Sequence, residues 1–387
     1  MTDTPQDGSH AWSTETDLGL LVVLQTAVGG SALTISDKTI SGMVEYQKSW
    51  PGEVALAQLV TSGMAANIGE RTRSAEDLPF RVVLVDSINA LEAYKPALIL
   101  ANAQPNLLGL SKTNLPHVFV VESTPMDRSR NDALAANDKL EALRCLVSGV
   151  RSTIRLRRAL VGATGVQHNG LFTFLAFAKA NRNSMFYFDS RFREALLPSW
   201  VEQAPRPASM RLRVGFSGRR LGIKGFEDFT WVAQQCAALG AAIDFYTIGS
   251  NEPLGDELAG LGNLANVGEL DFESEWTPWV ANNLDVMLLP HKLGDNSGTF
   301  IETLGAGVPV LGYAHGAWQE MTKVGNLGWA VEWNNRQALL EKLLELAGNP
   351  GEVHAMGQKS AAFAAQHTFE HEFAKRVDHL KATVTQP

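Results

Sequence analysis

The sequence predicts an α/β protein with two doubly wound parallel sheets, and three observations lead to this prediction. Apolar runs of strand length alternate with helical stretches along most of the chain. The 387 residues are too many for one ordinary hydrophobic core. A segment with three prolines, 197–209, separates two similar series of strands. We therefore expect two Rossmann-like domains that face a central cleft.

The composition is that of a compact globular protein, with 45% hydrophobic and 19% charged residues. A net charge of -8 argues against a nucleic-acid partner, because phosphate binding needs a clustered basic surface. Cys145 and Cys236 are far apart and lack a metal-ligand spacing, so the sequence supports neither a disulfide framework nor a zinc site. The polar N-terminus and the lack of a membrane-spanning apolar run predict a cytoplasmic protein.

The same patterns place the domain boundaries. We expect a disordered polar tail over 1–17 and an N-terminal domain over 18–200. A linker over 201–210 leads to a C-terminal domain over 211–368. The last segment, 369–387, is predicted to be a helix that can pack back across the domain boundary.

The first domain begins with a continuous apolar run, 18–26, typical of a parallel strand covered on both faces. Gly29 and Gly30 follow it, and adjacent glycines let a backbone pass close to a ligand or to a neighbouring helix. The full dinucleotide fingerprint is absent, so a tight turn needed only for the fold explains the pair equally well. One helix is predicted over 133–160. Further strands are predicted over 54–60, 81–86, 97–101, 117–122, 162–167 and 184–189.

The second domain repeats this alternation without a detectable sequence repeat. Predicted strands cover 212–216, 242–248, 266–270, 284–289, 309–313 and 328–333, with helices between them. Three helices then close the chain, the first with a leucine-rich face after Arg336.

The loop after the first strand of this domain, GFSGRRLGIKG, is a candidate anion site. Arg219 and Lys224 lie five positions apart on it, among glycines that allow close approach of a ligand. An Arg binds phosphate oxygens through a bidentate fork and a Lys acts as a point charge, so together they suit a diphosphate. Either residue alone would be read as a surface charge on a connecting loop.

A second candidate is the strand, loop and helix within LDVMLLPHKLGDNSGTFIETLGAGVPVL, 284–311. With Ser297 near the N-cap, the backbone N–H groups of Gly298 and Thr299 would face a phosphate. Glu302, in the first turns of the helix, can accept two hydrogen bonds from a ribose diol. Glu302 read alone is equally a capping or helix-dipole residue.

In this order and spacing, the two segments resemble the retaining glycosyltransferases of family 4, which have the GT-B fold. The resemblance covers most of the C-terminal half and includes GRRLGIKG, NVGELDFESEWTPWV, FIETLGAGVPVLGYAHGAWQE and GNLGWAV. It implies that Arg219 and Lys224 bind the donor diphosphate and stabilise its developing charge, and that Glu302 binds the nucleotide ribose. The rest of the implied donor site is Gly218, Asn296, Ser297, Gly298 and Thr299.

The chain departs from the family at one position of this site. Members usually carry two glutamates with seven residues between them, and the first would fall at Gly294. Either Asp295 contacts the donor sugar as a catalytic residue instead, or the backbone of 294–297 does so alone.

The N-terminal half matches less well. The family often has a His at the end of the strand 117–122, where this chain has Glu122 and Ser123, while His117 is at the opposite end. The expected acceptor or cleft residues are Ser123, His168 on a loop after 165–167, and Gly29 and Gly30. A lone His in a loop is more often a structural hydrogen-bonding residue.

The resemblance implies transfer of a hexose from a UDP or GDP sugar to a hydroxyl of a saccharide or lipid-linked acceptor. The implied mechanism is a front-face displacement with retention, which needs no protein nucleophile, cofactor or metal. Two alternatives stay open: a catalytically degenerate GT-B protein that serves as a binding or scaffold partner, and a nucleotide-sugar epimerase of the same fold.

The basic segment RSTIRLRR, 151–158, has two readings. It is an ordinary solvated helix face, or it touches acidic lipid headgroups or an anionic acceptor. The second reading places the protein at the inner face of the membrane as a peripheral partner.

Overall fold

A computed structural model of the protein describes residues 19–26, 28–29, 32–60, 70–199, 210–294 and 296–385. The described residues form two parallel sheets of seven and six strands, each with hydrophobic clusters on both faces. This arrangement confirms the predicted fold class.

The first sheet is parallel throughout its described pairs, and its strands alternate between two core clusters. Leu21 and Val23 of the first strand pack in one cluster, while Leu20 and Val22 pack in the other. The sheet order is β10-β9-β8-β7-β1-β4-β6. Its strands are β1 (Leu20–Thr26), β4 (Val54–Val60), β6 (Arg81–Val85), β7 (Leu98–Asn102), β8 (His117–Val121), β9 (Gly165–Asn169) and β10 (Ser184–Tyr187).

A small antiparallel sheet lies next to the predicted turn at Gly29 and Gly30, and the turn itself falls partly outside the described residues. It pairs β2 (Val28–Gly29) with β3 (Ala32–Ser36), and β3 with β5 (Glu70–Ser74). Leu33 and Ile35 are buried within β3, and this period of two marks a strand rather than the start of a helix. Gly29 is therefore part of a hairpin, and Gly30 lies outside the described residues.

Two helices occupy the segment in which one helix was predicted over 133–160. They are α2 (Pro125–Leu134) and α3 (Lys139–Val161). Asp138 accepts hydrogen bonds from the N–H groups of Leu140 and Glu141, so a new N-cap interrupts the predicted helix. The other helices of this half are α1 (Asp37–Ser49) and α4 (Gly170–Phe177), with short 3₁₀ turns at Ala75–Asp77, Asn89–Tyr94, Leu108–Lys112, Ala178–Ala180 and Glu194–Ser199.

The second sheet has the order β13-β12-β11-β14-β15-β16. Its strands are β11 (Leu212–Ser217), β12 (Ile243–Ile248), β13 (Leu264–Gly268), β14 (Val286–Leu289), β15 (Val310–Tyr313) and β16 (Gly328–Val331). The helices between and after them are α5 (Phe226–Ala238), α6 (Asp256–Ala259), α7 (Thr277–Asn283), α8 (Gly298–Gly305), α9 (Gly316–Gly325), α10 (Arg336–Ala347) and α11 (Pro350–Ala364). A 3₁₀ turn covers Gly222–Lys224, and a π-helical turn covers Phe272–Trp276.

The last helix, α12 (Phe369–Thr385), returns to the first sheet. Phe369, Phe373 and Val377 belong to the core cluster of that sheet, and Tyr46 of α1 packs against Phe373 at 5.2 Å between ring centroids. The two halves are thus linked by α12, which follows the second sheet in sequence and packs on the first.

Candidate active site

The phosphate loop predicted after β11 projects its cations from a tightly fixed backbone. Gly218 has φ 135°, and Arg219 is exposed on the loop. Lys224 is half-buried at the end of the 3₁₀ turn, and its N–H donates to the carbonyl of Leu221 at 2.9 Å. Arg219 and Lys224 are therefore presented at the carboxyl edge of the second sheet, where an anionic ligand of a Rossmann-like domain lies.

Gly225 fixes this loop against the strand that leads to the donor helix. It has φ 73°, and a β-carbon there would lie 2.0 Å from the carbonyl oxygen of Pro290. Two residues further on, the N–H of Lys292 donates to the carbonyl of Ile223 at 3.0 Å. The two segments singled out in the sequence are therefore joined through residues 290–292.

His291 lies between the phosphate loop and α8. Its ring packs on Phe300 at 4.9 Å between centroids. Burial holds the pKa of His291 well below its ordinary value, and the nearby Lys224 charge lowers that pKa further. A neutral imidazole here leaves Lys224 as the positive group.

Helix α8 begins at Gly298, as expected from the sequence. Ser297 is its N-cap residue with extended backbone, although its side chain caps no N–H group. In the described part of the chain, the N–H groups of Gly298 and Thr299 donate to no acceptor, so the first turn keeps donors for an anion. Asp295 lies outside the described residues.

Glu302 is buried on α8, with only 3% of the residue exposed. Its carboxylate accepts two hydrogen bonds from Arg191, from Nε to Oε1 at 2.8 Å and from Nη2 to Oε2 at 3.2 Å. Arg191 in turn stacks on Phe272 at 4.2 Å from the ring centroid. The carboxylate predicted to bind ribose is thus charge-compensated by an arginine from the other half of the chain.

Two side chains of the first half contact the loop before α8. Asp127 of α2 accepts from the N–H of Gly294 at 2.5 Å, and its second oxygen lies 2.8 Å from His315 Nε2. Asn169, at the end of β9, accepts from the side-chain amide of Asn296 at 2.7 Å. Both contacts are buried, so the position expected for the missing first glutamate is held from the opposite sheet.

Glu122 and Ser123 follow the carboxyl end of β8 in the first sheet. Both line a cavity of about 440 Å³ together with Arg128 and Arg155. Burial and the nearby Asp189 raise the pKa of Glu122, although its side chain reaches solvent at the cavity mouth.

His168 differs from its predicted position. It lies within β9 rather than on a loop and is fully buried, and neither of its ring nitrogens has a hydrogen-bond partner among the described residues. The pKa of His168 is lowered to about 4, mainly by burial. Strand β9 extends to Asn169, two residues beyond the predicted end of the strand, and this moves His168 from the cleft edge into the sheet.

The sequence analysis singled out neither Arg191 nor Asp127 nor His315. Asp127 follows Thr124 by three residues, and the N–H of Asp127 donates to the Thr124 hydroxyl at 3.1 Å. In the sequence, this spacing is that of an ordinary helix start and gives no sign of a functional residue. Across the described ranges, no cluster of three His, Cys, Asp or Glu side chains converges as a metal site. Both cysteines are free thiols.

No family model and no curated protein matches this sequence. Solved structures do match over nearly the whole chain. A sucrose-phosphate synthase from Thermosynechococcus elongatus is 15% identical, with a TM-score of 0.65 over 95% of this chain and 99% of that one. Anabaena HepE in complex with UDP and glucose is 14% identical, with a TM-score of 0.61 over 95% and 100%. WaaG, a glycosyltransferase involved in lipopolysaccharide biosynthesis, is 14% identical, with a TM-score of 0.59 over 93% and 98%. These similarities show that the fold is the GT-B fold of these glycosyltransferases.

Proposed function

We propose that this protein is a retaining glycosyltransferase that moves a hexose from a nucleotide diphosphate sugar to a hydroxyl of a saccharide or lipid-linked acceptor. The observation that carries the proposal is the junction at 290–292, which brings the cations of the phosphate loop and the open first turn of α8 to one sheet edge. The neighbour with bound UDP and glucose supports a UDP sugar as donor. Arg219 and Lys224 would bind its diphosphate, and Glu302 its ribose.

In the proposed reaction, the bond between the anomeric carbon and the diphosphate oxygen breaks. The acceptor oxygen forms its bond on the same face of the sugar, and its proton passes to the departing diphosphate. Arg219 and Lys224 stabilise the charge that develops there. The protein contributes orientation and charge stabilisation, which is consistent with a site built from cations and helix N–H groups.

Calorimetry with UDP and GDP tests this proposal. We expect Arg219→Ala and Lys224→Ala each to weaken binding of the preferred nucleotide at least tenfold, since a hydrogen bond to a charged group contributes about 1.5–3 kcal/mol. Lys359→Ala, at an exposed position of α11, is the matched control and should bind normally. Failure of both nucleotides to bind would refute the proposal. Tight binding without sugar transfer would instead favour a scaffold protein, and conversion of the free nucleotide sugar would favour an epimerase.

We place the enzyme at the cytoplasmic face of an anionic membrane because of the outer face of α3. Six apolar side chains on this face are between 40% and 68% exposed, namely Leu140, Leu143, Val147, Val150, Ile154 and Val161. The exposed residues Arg144, Arg151, Arg155 and Arg158 flank it. An apolar stripe beside cations is typical of a helix that lies in a lipid interface. None of the helices in the described part of the chain is long and apolar enough to span a bilayer.

Vesicle co-sedimentation tests this placement. The protein should sediment with vesicles that contain phosphatidylglycerol and stay in solution with pure phosphatidylcholine. Ile154→Glu should abolish sedimentation, whereas Leu239→Glu, at a residue 62% exposed in the C-terminal half, should not. Equal behaviour of the two variants would exclude α3 as the contact surface.

A further inference from the structure

Helix α12 carries a buried arginine whose guanidinium is only partly satisfied. Arg376 is 8% exposed, and its Nε donates to Gln167 Oε1 at 3.0 Å. Aromatic rings enclose the rest of the group, with Tyr187 at 4.1 Å, Phe373 at 5.0 Å and Tyr46 at 5.5 Å from the ring centroids. Among the described residues, no hydrogen-bond acceptor lies against its two terminal nitrogens. Burial opposes the charge of Arg376, but the nearby Tyr187, Tyr46, Asp189 and Glu122 raise the pKa of Arg376 above its ordinary value, so the group stays charged.

Arg376 lines a cavity of about 180 Å³ at the carboxyl edge of the first sheet. Residues at the ends of β1, β7 and β8 line it, as do Lys38 and Asp189. Lys38 and Asp189 form an ion pair at 2.5 Å, and this pairing outweighs burial to lower the pKa of Asp189. The Asp189 carboxylate is therefore already paired with another cation.

The guanidinium of Arg376 is suited to an anionic ligand by its geometry. An arginine fork matches the oxygens of a phosphate or a carboxylate, which accept two parallel hydrogen bonds from it. Among the described residues, the terminal nitrogens of Arg376 have no such acceptor. An anion bound in this cavity would supply one.

The cavity adjoins the proposed donor site. The carbonyl of Asp189 contacts Gly298, where a β-carbon would lie 2.9 Å from that oxygen. On the other side, the cavity shares Asn102, Val120 and Glu122 with the larger cavity that Arg128 and Arg155 line. Arg155 belongs to the basic face of α3, so cations mark a route from the surface to the first turn of α8.

We propose that this cavity binds an anionic group of the acceptor, a phosphate or a carboxylate, with the Arg376 guanidinium as its bidentate partner. The bound anion places the acceptor between β8 and α8, beside the donor sugar. This inference rests on the proposed transferase function for the identity of its ligand, but the anion site itself can be measured without that function.

The test uses inorganic phosphate and acetate as probes, with glycerol as the neutral comparison. It is done with the Arg219→Ala/Lys224→Ala double variant, which lacks the two cations of the donor phosphate loop. We expect phosphate or acetate to raise the thermal midpoint of this double variant, and Arg376→Met to abolish the rise. A rise with phosphate alone assigns a phosphoryl group, and a rise with acetate as well assigns a carboxylate. No anion-dependent rise, or the same rise in the Arg376→Met variant, overturns the proposal.

A second readout separates binding from a purely structural role. Without added anion, Arg376→Met should lower the thermal midpoint, because it removes the hydrogen bond to Gln167 Oε1 and a positive charge near Asp189 and Glu122. Arg376→Lys keeps the charge but loses the fork, so it should lose most of the anion response and gain no stability. A lower midpoint in Arg376→Met together with an unchanged anion response would show that Arg376 has only a structural role. Failure of UDP binding in the wild type is a separate result that refutes only the transferase proposal.

Discussion

The Arg191 guanidinium donates to both carboxylate oxygens of Glu302, at 2.8 and 3.2 Å, although 111 positions separate the two residues. The arginine follows the last strand of the first sheet, and the glutamate lies on α8 beneath the second. The pair therefore fixes one half of the molecule to the other at the proposed ribose position. It also gives the buried Glu302 carboxylate a partner of opposite charge, without which its burial would be costly.

Glu302→Gln should weaken UDP binding by about tenfold to a hundredfold, since it removes a charged acceptor of the ribose hydroxyls. Arg191→Gln should weaken binding less, because Arg191 orients the carboxylate without touching the ribose. Calorimetry on both single variants and on the double variant gives their coupling energy. Losses that add without coupling would show that the ion pair plays no part in nucleotide binding.

Gly225→Ala should destabilise the chain by at least about 2 kcal/mol, since a left-handed backbone is unfavourable for any residue with a β-carbon. The added carbon would also clash with the Pro290 carbonyl, 2.0 Å away. Gly262→Ala is the control, because nothing lies within 4 Å of its β-carbon. Urea unfolding midpoints measure both variants. Equal midpoints would contradict the close contact between the phosphate loop and residues 290–292.

The sequence was sufficient to predict the two sheets because their strands are buried on both faces and appear as continuous apolar runs. It was also sufficient to predict the beginning of α8 at Gly298, since Ser297 precedes an apolar helical pattern. The short strands on either side of residues 30 and 31 were not predicted. Apolar and polar residues alternate over only five positions in 32–36, and such a short pattern is a weak strand signal.

The contacts between the two halves were beyond the sequence. Asp127 and Gly294 are 167 positions apart, and no local sequence pattern at either residue predicts its contact with the other. His168 was misplaced because a two-residue error at a strand end moves a side chain from the cleft into the core. Periodicity determines which residues are buried, but only the packed structure determines which polar groups meet.

His168→Phe should make the protein less sensitive to acid. The pKa of His168 is lowered from 6.5 to about 4 in the folded state, mainly by burial and further by the charge of His379. The unfolded chain binds the proton more readily between these values, so stability is lost as pH falls from 6.5 towards 4. The full loss amounts to about 3 kcal/mol.

Urea unfolding at pH 7 and at pH 4.5 measures this effect as the difference between wild type and variant. Comparing differences is necessary because burial lowers the pKa of His117, His291 and His379 as well. At pH 7 the substitution should be nearly neutral, since the ring packs on Phe174 and neither nitrogen has a partner. An identical pH slope in the two proteins would mean that His168 is hydrogen-bonded or solvated.

Asp127→Asn should lower kcat/KM by about tenfold to a hundredfold, while UDP affinity stays within a few-fold of the wild type. The carboxylate accepts from the Gly294 N–H and lies 2.8 Å from His315 Nε2, whereas an amide presents an N–H group to one of these two donors. From the family resemblance, we expect the loop at Gly294 to lie beside the donor sugar. Its displacement therefore affects the transfer step more than nucleotide binding.

Asp132→Asn provides the control for this substitution, because Asp132 lies on the same helix but is exposed. It should leave both kcat/KM and UDP affinity unchanged. Steady-state kinetics with the identified donor, together with calorimetry, distinguish the two effects. A parallel loss of UDP affinity in Asp127→Asn would mean that the contact shapes the whole donor site, and normal kinetics would mean that the Asp127 contact with Gly294 is dispensable for sugar transfer.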